Sequence, residues 1–144
     1  MNEPDVEIIA QGKWVSVASD GSSIKTSGVL STGKPHPRSY GTFPRFLARY
    51  VRERCVVSLE EAIRKMTSLP ASRLNLSQRG VILPGFWADI VIFDPTKVTD
   101  TATFDNPHSY ATGISHVLVN GVPVVHNGSL TNERPGKVLR RLDD

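Results

Sequence analysis

Residues 14–24, Trp-Val-Ser-Val-Ala-Ser-Asp-Gly-Ser-Ser-Ile, form the stretch whose reading decides the fold. Trp14 to Ala18 predicts a short buried strand, because valine and tryptophan suit a pleated, packed surface. Ser19-Asp20-Gly21 then breaks it and leaves one carboxylate at its end. Upstream, Asp5–Ala10 predicts a short helix, with Pro4 in the tolerated first turn and Gln11-Gly12 as the stop. Downstream, residues 21–42 carry Gly, Ser, Thr and Pro without periodicity and predict a long loop. No other convincing strand occurs before residue 80. An unpaired strand leaves backbone groups unsatisfied. The chain therefore reads as part of something larger.

The middle is helical. Phe43, Phe46, Leu47, Tyr50 and Val51 recur at three- and four-residue spacing over 43–54, with Arg45, Arg49 and Arg52 opposite. In "SLEEAIRKM" (58–66), Ser58 and Glu61 predict a capping box, and Leu59, Ala62, Ile63 and Met66 face inward. Pro70 is expected to stop this helix, with one more short turn over 70–74. From Gly80 the pattern turns to strands. Ala88–Phe93 is one; Ile114–Val119 and Val122–His126 flank the Asn120-Gly121 pair of a type I′ hairpin. Two modules follow, residues 1–78 and 79–144, in an α/β chain.

Composition narrows the function. Seventeen basic and 14 acidic side chains give a net charge of +3, too mild to indicate nucleic acid by itself. Arg45, Arg49, Arg52 and Arg54 read as a solvated outer face, since the aromatics sit at core spacing. No run approaches the ~20 apolar residues of a membrane span, and the acidic N-terminus is no signal peptide. The single cysteine, Cys55, excludes an internal disulfide framework and suits a reducing cytoplasm. It reads as a small buried apolar residue.

Six blocks, in this order and spacing, resemble one family: "VASDG" (17–21), "HPRSYGTFPRFLARYVRE" (36–53), "SLEEAIRKMTSLPASRLNL" (58–76), "RGVILPGFWADIVIFDP" (79–95), "HVLVNGVPVVHNG" (116–128) and "RPGKVLR" (134–140). The chain resembles the C-terminal portion of the N-acyl-D-amino-acid deacylases (D-aminoacylases) of the amidohydrolase superfamily. The resemblance implies a metal-dependent (β/α)8 barrel with a small β-sandwich. Trp14–Ala18 would be its last barrel strand, 1–78 the end of the barrel, and 79–144 part of the sandwich. Barrel active sites lie at the C-terminal ends of the strands, where Asp20 falls.

The resemblance implies that Asp20 accepts a proton from a zinc-activated water, later passes it to the leaving nitrogen, and serves as a weak or second metal ligand. Gly21 would spare a tight turn from crowding, and Ser19 would hold the carboxylate. Taken alone, Ser-Asp-Gly is simply a turn; the flanking blocks favour the catalytic position. The loop 21–42 would cover the barrel mouth. There His36 and Arg38 are candidates for substrate contact or loop anchoring, Arg38 because a guanidinium binds a substrate carboxylate bidentately. A structural ion pair is an equal alternative for Arg38, and Tyr40 reads as a packing residue.

The zinc site itself is incomplete. None of the four histidines, His36, His108, His116 and His126, forms the His-x-His of the superfamily. His116 and His126 belong to the hairpin and read as solvent-facing or satisfied imidazoles; His108 reads as structural. The expected function is that of an amidohydrolase segment. Its parent would be a hydrolase of carbon–nitrogen bonds, cleaving the linear amide of an N-acyl-D-amino acid to a carboxylate and a D-amino acid, and the segment alone would be inactive. A cyclic-amide hydrolase is one alternative. Another is a non-catalytic subunit or remnant that docks on a homologous chain or on the missing barrel segment. Expected partners are a small N-acyl amino acid and that segment, without nucleic acid or membrane.

Overall fold

The computed structural model describes residues 2–140; the last four residues of the predicted second module, 141–144, lie outside them. Helix α1 (Glu3–Gln11) starts two residues before the predicted helix because Asn2 caps it. Asn2 Oδ1 accepts from the Asp5 N–H at 3.0 Å, and the Asp5 carboxylate accepts from the Asn2 N–H at 3.4 Å. This reciprocal box satisfies two otherwise orphan donors. Gly12 closes the helix, its N–H donating to Ile9 C=O at 3.0 Å.

The next segment departs from expectation. Residues 14–18 are not a strand, and no strand pairs with them among the described residues. Trp14, expected to be buried, is 75% exposed. From Val15 to Asp20 half-buried and exposed residues alternate as in a strand, but among the described residues the only backbone tie across to another element runs from Val17 N–H to Lys65 C=O, 3.2 Å. Propensity extends the backbone; it does not supply a partner. The barrel strand expected here thus has no neighbouring strand among the described residues.

Helix α2 (Arg38–Arg45) begins inside the predicted loop and runs into a π-helical stretch, Phe46–Glu53. Pro44 lies just before the change and offers no N–H to the carbonyl four residues back, a disruption that favours wider turns. The wider turn re-aims the inward face. Phe46, Leu47 and Ala48 are buried, whereas Phe43, predicted inward, is 41% exposed. The π stretch ends at Cys55, which takes a left-handed backbone (φ 51°) and is exposed rather than buried.

Helix α3 (Leu59–Met66) starts at Ser58, whose Oγ accepts from the Glu61 N–H at 3.2 Å. Only this half of the predicted box is used, because the Glu61 carboxylate turns to Arg64 and Lys65. The helix breaks at Thr67, before Pro70, and α4 (Ser68–Arg73) takes Pro70 into its first turn.

The strands form one antiparallel sheet, β1 (Ile90–Phe93), β2 (Ile114–Val119), β3 (Val122–His126) and β4 (Ser129–Leu130), in chain order. Val119 pairs with Val122 around Asn120 (φ 50°) and Gly121 (φ 83°), the left-handed pair of a type I′ turn. The following Asn127-Gly128 repeats the device and folds β4 back on β3, a strand absent from the sequence reading. The first turn is braced from outside. Arg79 donates to Asn120 Oδ1 at 2.7 Å and pairs with Asp89; Asn120 Nδ2 donates to Pro135 C=O at 2.7 Å. His116 and His126 meet edge to face at 4.9 Å, and the buried His116 Nδ1 has no partner among the described residues, so His116 is not the satisfied imidazole expected.

One core joins helices to sheet. Ala10, Phe46, Leu47, Ala62 and Val98 are buried together, with Val17, Leu59, Ile63, Met66, Phe93 and Ile114 packed around them. Val98 reaches that core through a close crossing at Gly113 (φ 81°), where a Cβ would stand 2.4 Å from the Val98 nitrogen.

Candidate functional site

The candidate site is built from three chain segments: residues 12–22, the start of α2, and the loop between them. Asp20 has a left-handed backbone (φ 48°), which Asp tolerates better than most side chains. Its carboxylate meets Arg38 Nη2 at 2.8 Å and is 86% exposed. Arg38 is therefore engaged in an ion pair, and its partner is the candidate catalytic carboxylate itself. Ser19 does not hold that carboxylate; its Oγ accepts from the Gly21 N–H at 3.2 Å. Gly21 serves a different purpose from the tight turn expected. Its φ is not positive, but a Cβ there would lie 2.8 Å from Ser39 Cα, so glycine lets the segment press on the start of α2. Ser22 N–H then donates to Ser39 Oγ at 3.3 Å.

His36 Nδ1 accepts from the Arg38 N–H at 3.1 Å, and its ring meets Phe104 edge to face at 4.9 Å. It shapes the entry to α2 and anchors the loop.

Tyr40 does more than pack. Its hydroxyl donates to Lys25 C=O at 2.9 Å and lies 2.9 Å from His108 Nδ1, while His108 Nε2 lies 3.0 Å from Gly33 C=O. Tyr110 Oη accepts from the Thr26 N–H at 3.4 Å. These rings clasp residues 25–33, which have no regular structure of their own. Burial pushes the Tyr40 hydroxyl above its ordinary pKa.

Lys65 was missed. It lies in the inward stripe of α3, between Ala62 and Met66, and it is 0% exposed. Its Nζ donates to Gly12 C=O and to Val15 C=O (3.2 Å) and pairs with Glu61 at 3.5 Å. Every donor of the ammonium is used, which is what burial of a lysine demands. Arg64 adds a bond to Lys13 C=O. The Arg64 guanidinium, aided by Lys65, holds the Glu61 carboxyl down to about 2. The signal was present in the sequence: a cation on an apolar helical stripe.

The arginines of the π stretch are likewise occupied within the chain. Arg49 bonds Glu3 at 2.7 Å, Arg52 donates to Val98 C=O at 2.7 Å, and Arg45 and Arg54 pair with Asp100 and Glu7. They are not the simple solvated face expected.

Among the described residues no group of three or more His, Cys, Asp or Glu side chains stands together to hold a metal ion. Asp20 offers one carboxylate, and Arg38 already takes one of its oxygens. These residues do not by themselves fit a metal centre. Among them, too, no helix is long and apolar enough to cross a membrane.

Comparison with known proteins agrees with this architecture. The chain is 44% identical to a D-aminoacylase and to an N-acyl-D-glutamate deacylase, both of Alcaligenes xylosoxydans xylosoxydans, over 98% of its own length in each case. It spans 28% and 27% of those relatives. A crystal structure of D-aminoacylase, described as defining a novel subset of amidohydrolases, superimposes with a TM-score of 0.83 at 42% identity, covering 92% of this chain and 27% of the other. The N-acyl-D-glutamate deacylase of Bordetella bronchiseptica, solved with zinc and a phosphonate mimic of the tetrahedral intermediate, superimposes with a TM-score of 0.78 at 45% identity, over 86% and 25%. Another D-aminoacylase structure concerns a binuclear metal centre, so metal dependence belongs to these neighbours. The pattern of the amidohydrolase family covers residues 15–125, from the extended segment before Asp20 through the hairpin, and this chain belongs to that family.

Proposed function

We propose that this chain acts as the C-terminal part of an N-acyl-D-amino-acid deacylase, in which residues 1–78 complete the barrel and residues 79–144 contribute to the sandwich. The whole enzyme hydrolyses the linear amide of an N-acyl-D-amino acid to a carboxylate and a free D-amino acid. Asp20 is the proton carrier. It accepts a proton from the attacking water and returns it to the leaving nitrogen, which must be protonated to depart as an amine. Zinc would be held by residues outside this chain, and the 144 residues alone do not turn over substrate. Arg38 steers Asp20 between these duties and meets the substrate carboxylate, with His36 and Ser19-Gly21 shaping the approach. The observation that carries this reading is the presentation of Asp20: an exposed carboxylate fixed in a left-handed backbone and oriented by one guanidinium.

The test is a chimaera in which this chain replaces the matching 28% of the Alcaligenes xylosoxydans xylosoxydans D-aminoacylase. It should release D-amino acids from N-acetyl-D-amino acids, and Asp20→Asn should lower kcat on the order of 10³-fold with bound metal unchanged. Full turnover in the Asn variant removes Asp20 from this role.

A second reading, a non-catalytic piece that docks on a homologous chain, is favoured by the exposed apolar side chains of Trp14, Val29, Ile82 and Phe104. Size-exclusion chromatography decides it: a monodisperse monomer that ignores the remainder of the homologous enzyme ends this reading.

A further inference from the structure

Segment 12–22 is suspended at two ends. At its far end Asp20, Gly21 and Ser22 rest on Arg38 and Ser39 of α2. At its near end everything converges on one residue. Lys65 Nζ takes Gly12 C=O and Val15 C=O, and Lys65 C=O takes the Val17 N–H. A neighbouring strand would normally satisfy such carbonyls and amides in register. Here a buried lysine does so, with both its side chain and its own backbone. Its position is in turn fixed by Glu61, which also binds Arg64, the donor to Lys13 C=O. The path of the backbone into Asp20, three residues beyond Val17, is thus set from α3.

We propose that Lys65 is a positioning residue for Asp20: it stands in for a β-ladder partner and determines where the carboxylate is presented. This rests on the role given to Asp20 above, but its physical content is testable without that role. An apolar residue at 65 would leave Val15 C=O unsatisfied and Gly12 C=O with the Val15 N–H alone, and would free the segment locally, while the sheet, built from its own ladder, would not feel the change.

The first measurement uses the 144-residue chain. Lys65→Met should speed amide exchange at Val17, Gly21 and Ser22, whose N–H groups are hydrogen-bonded, by about tenfold or more, with exchange in β2 and β3 unchanged. Lys65→Gln, which keeps a donor, should show the same pattern at smaller size. Wild-type exchange over 17–22 in either variant overturns the proposal. So does acceleration spread evenly over sheet and helices, or a failure of both variants to fold, since the lysine would then serve general stability alone.

The second measurement uses the chimaera. Lys65→Met should lower kcat about tenfold at nearly constant KM and add nothing to the loss caused by Asp20→Asn. Multiplicative losses overturn it. A wild-type chimaera without turnover tells against the deacylase reading and leaves the exchange result to judge Lys65.

Discussion

The hairpin 114–126 and the segment 12–22 are made of similar material, valine-rich chain with small polar residues at the bend, yet they are held in opposite ways. The hairpin is self-sufficient. Its strands satisfy one another, its turn residues adopt the left-handed geometry the turn needs, and a nearby arginine braces the bend. Among the described residues the segment has no partner strand, and it depends on Lys65 and Arg64 of a distant helix and on the contact of its own Gly21 with Ser39. Local sequence completes a structure when both hydrogen-bonding sides lie within a short loop. It cannot when one side must come from ~50 residues away.

Several substitutions would sharpen that contrast. The largest effect is expected at the junction of the two regions. Gly113→Ala places a Cβ against Val98 backbone at a left-handed φ, and should cost about 3 kcal/mol or more in urea unfolding. Within the hairpin, Asn120→Ala removes the residue suited to φ 50° and the bonds to Arg79 and Pro135. A loss of about 2 kcal/mol is expected, seen as frayed exchange in β2 and β3 but not at Val17; loss at Val17 as well would break the comparison. On the helical side, Ser58→Ala deletes the α3 cap and should cost about 1 kcal/mol, detectable as a lower thermal midpoint.

Acid acts on the same side. Glu61 titrates at about 2 when folded against an ordinary 4.5, chiefly through Arg64. The proton is bound more tightly by the unfolded chain, so this stabilisation is whole above pH 4.5 and drains away as pH falls towards 2. Glu61→Gln should flatten the decline in urea midpoint across that window; an unchanged slope would disprove the assignment. The smallest effect belongs to Arg38→Ala. Its pair with Asp20 is open to solvent, so stability should change by less than about 0.5 kcal/mol, even though the proton transfer proposed for Asp20 would suffer.

Legibility followed the same divide. The hairpin's strand bounds and turn were read to the residue from Asn120-Gly121, but the register shift between Val117 and Leu118 was not. Helix 59–66 was readable from its cap and stripe, and the first helix from Pro4 and its Gly12 stop, although its Asn2 cap went unread. The π stretch was not, because Pro44 perturbs a period that is otherwise helical. The strand at 14–18 was over-read, since its valines report extension and not pairing. At the site, Asp20 and Arg38 were singled out as separate candidates; that they face each other at 2.8 Å depends on a left-handed residue and a loop fold that no local pattern encodes. Lys65 was the inverse case, plain in the helical stripe and passed over because lysines are ordinarily outside.

The left-handed backbone at Asp20 reorders what counts as a mild exchange. Glutamate preserves the charge but lacks the short polar side chain that makes such a backbone tolerable, so it would add about 1 kcal/mol of strain and overshoot Arg38 by a methylene. Asparagine abolishes the charge yet sits there at ease. A survey of natural variants sorted by fold would accept asparagine and disfavour glutamate, whereas one sorted by turnover would reject both.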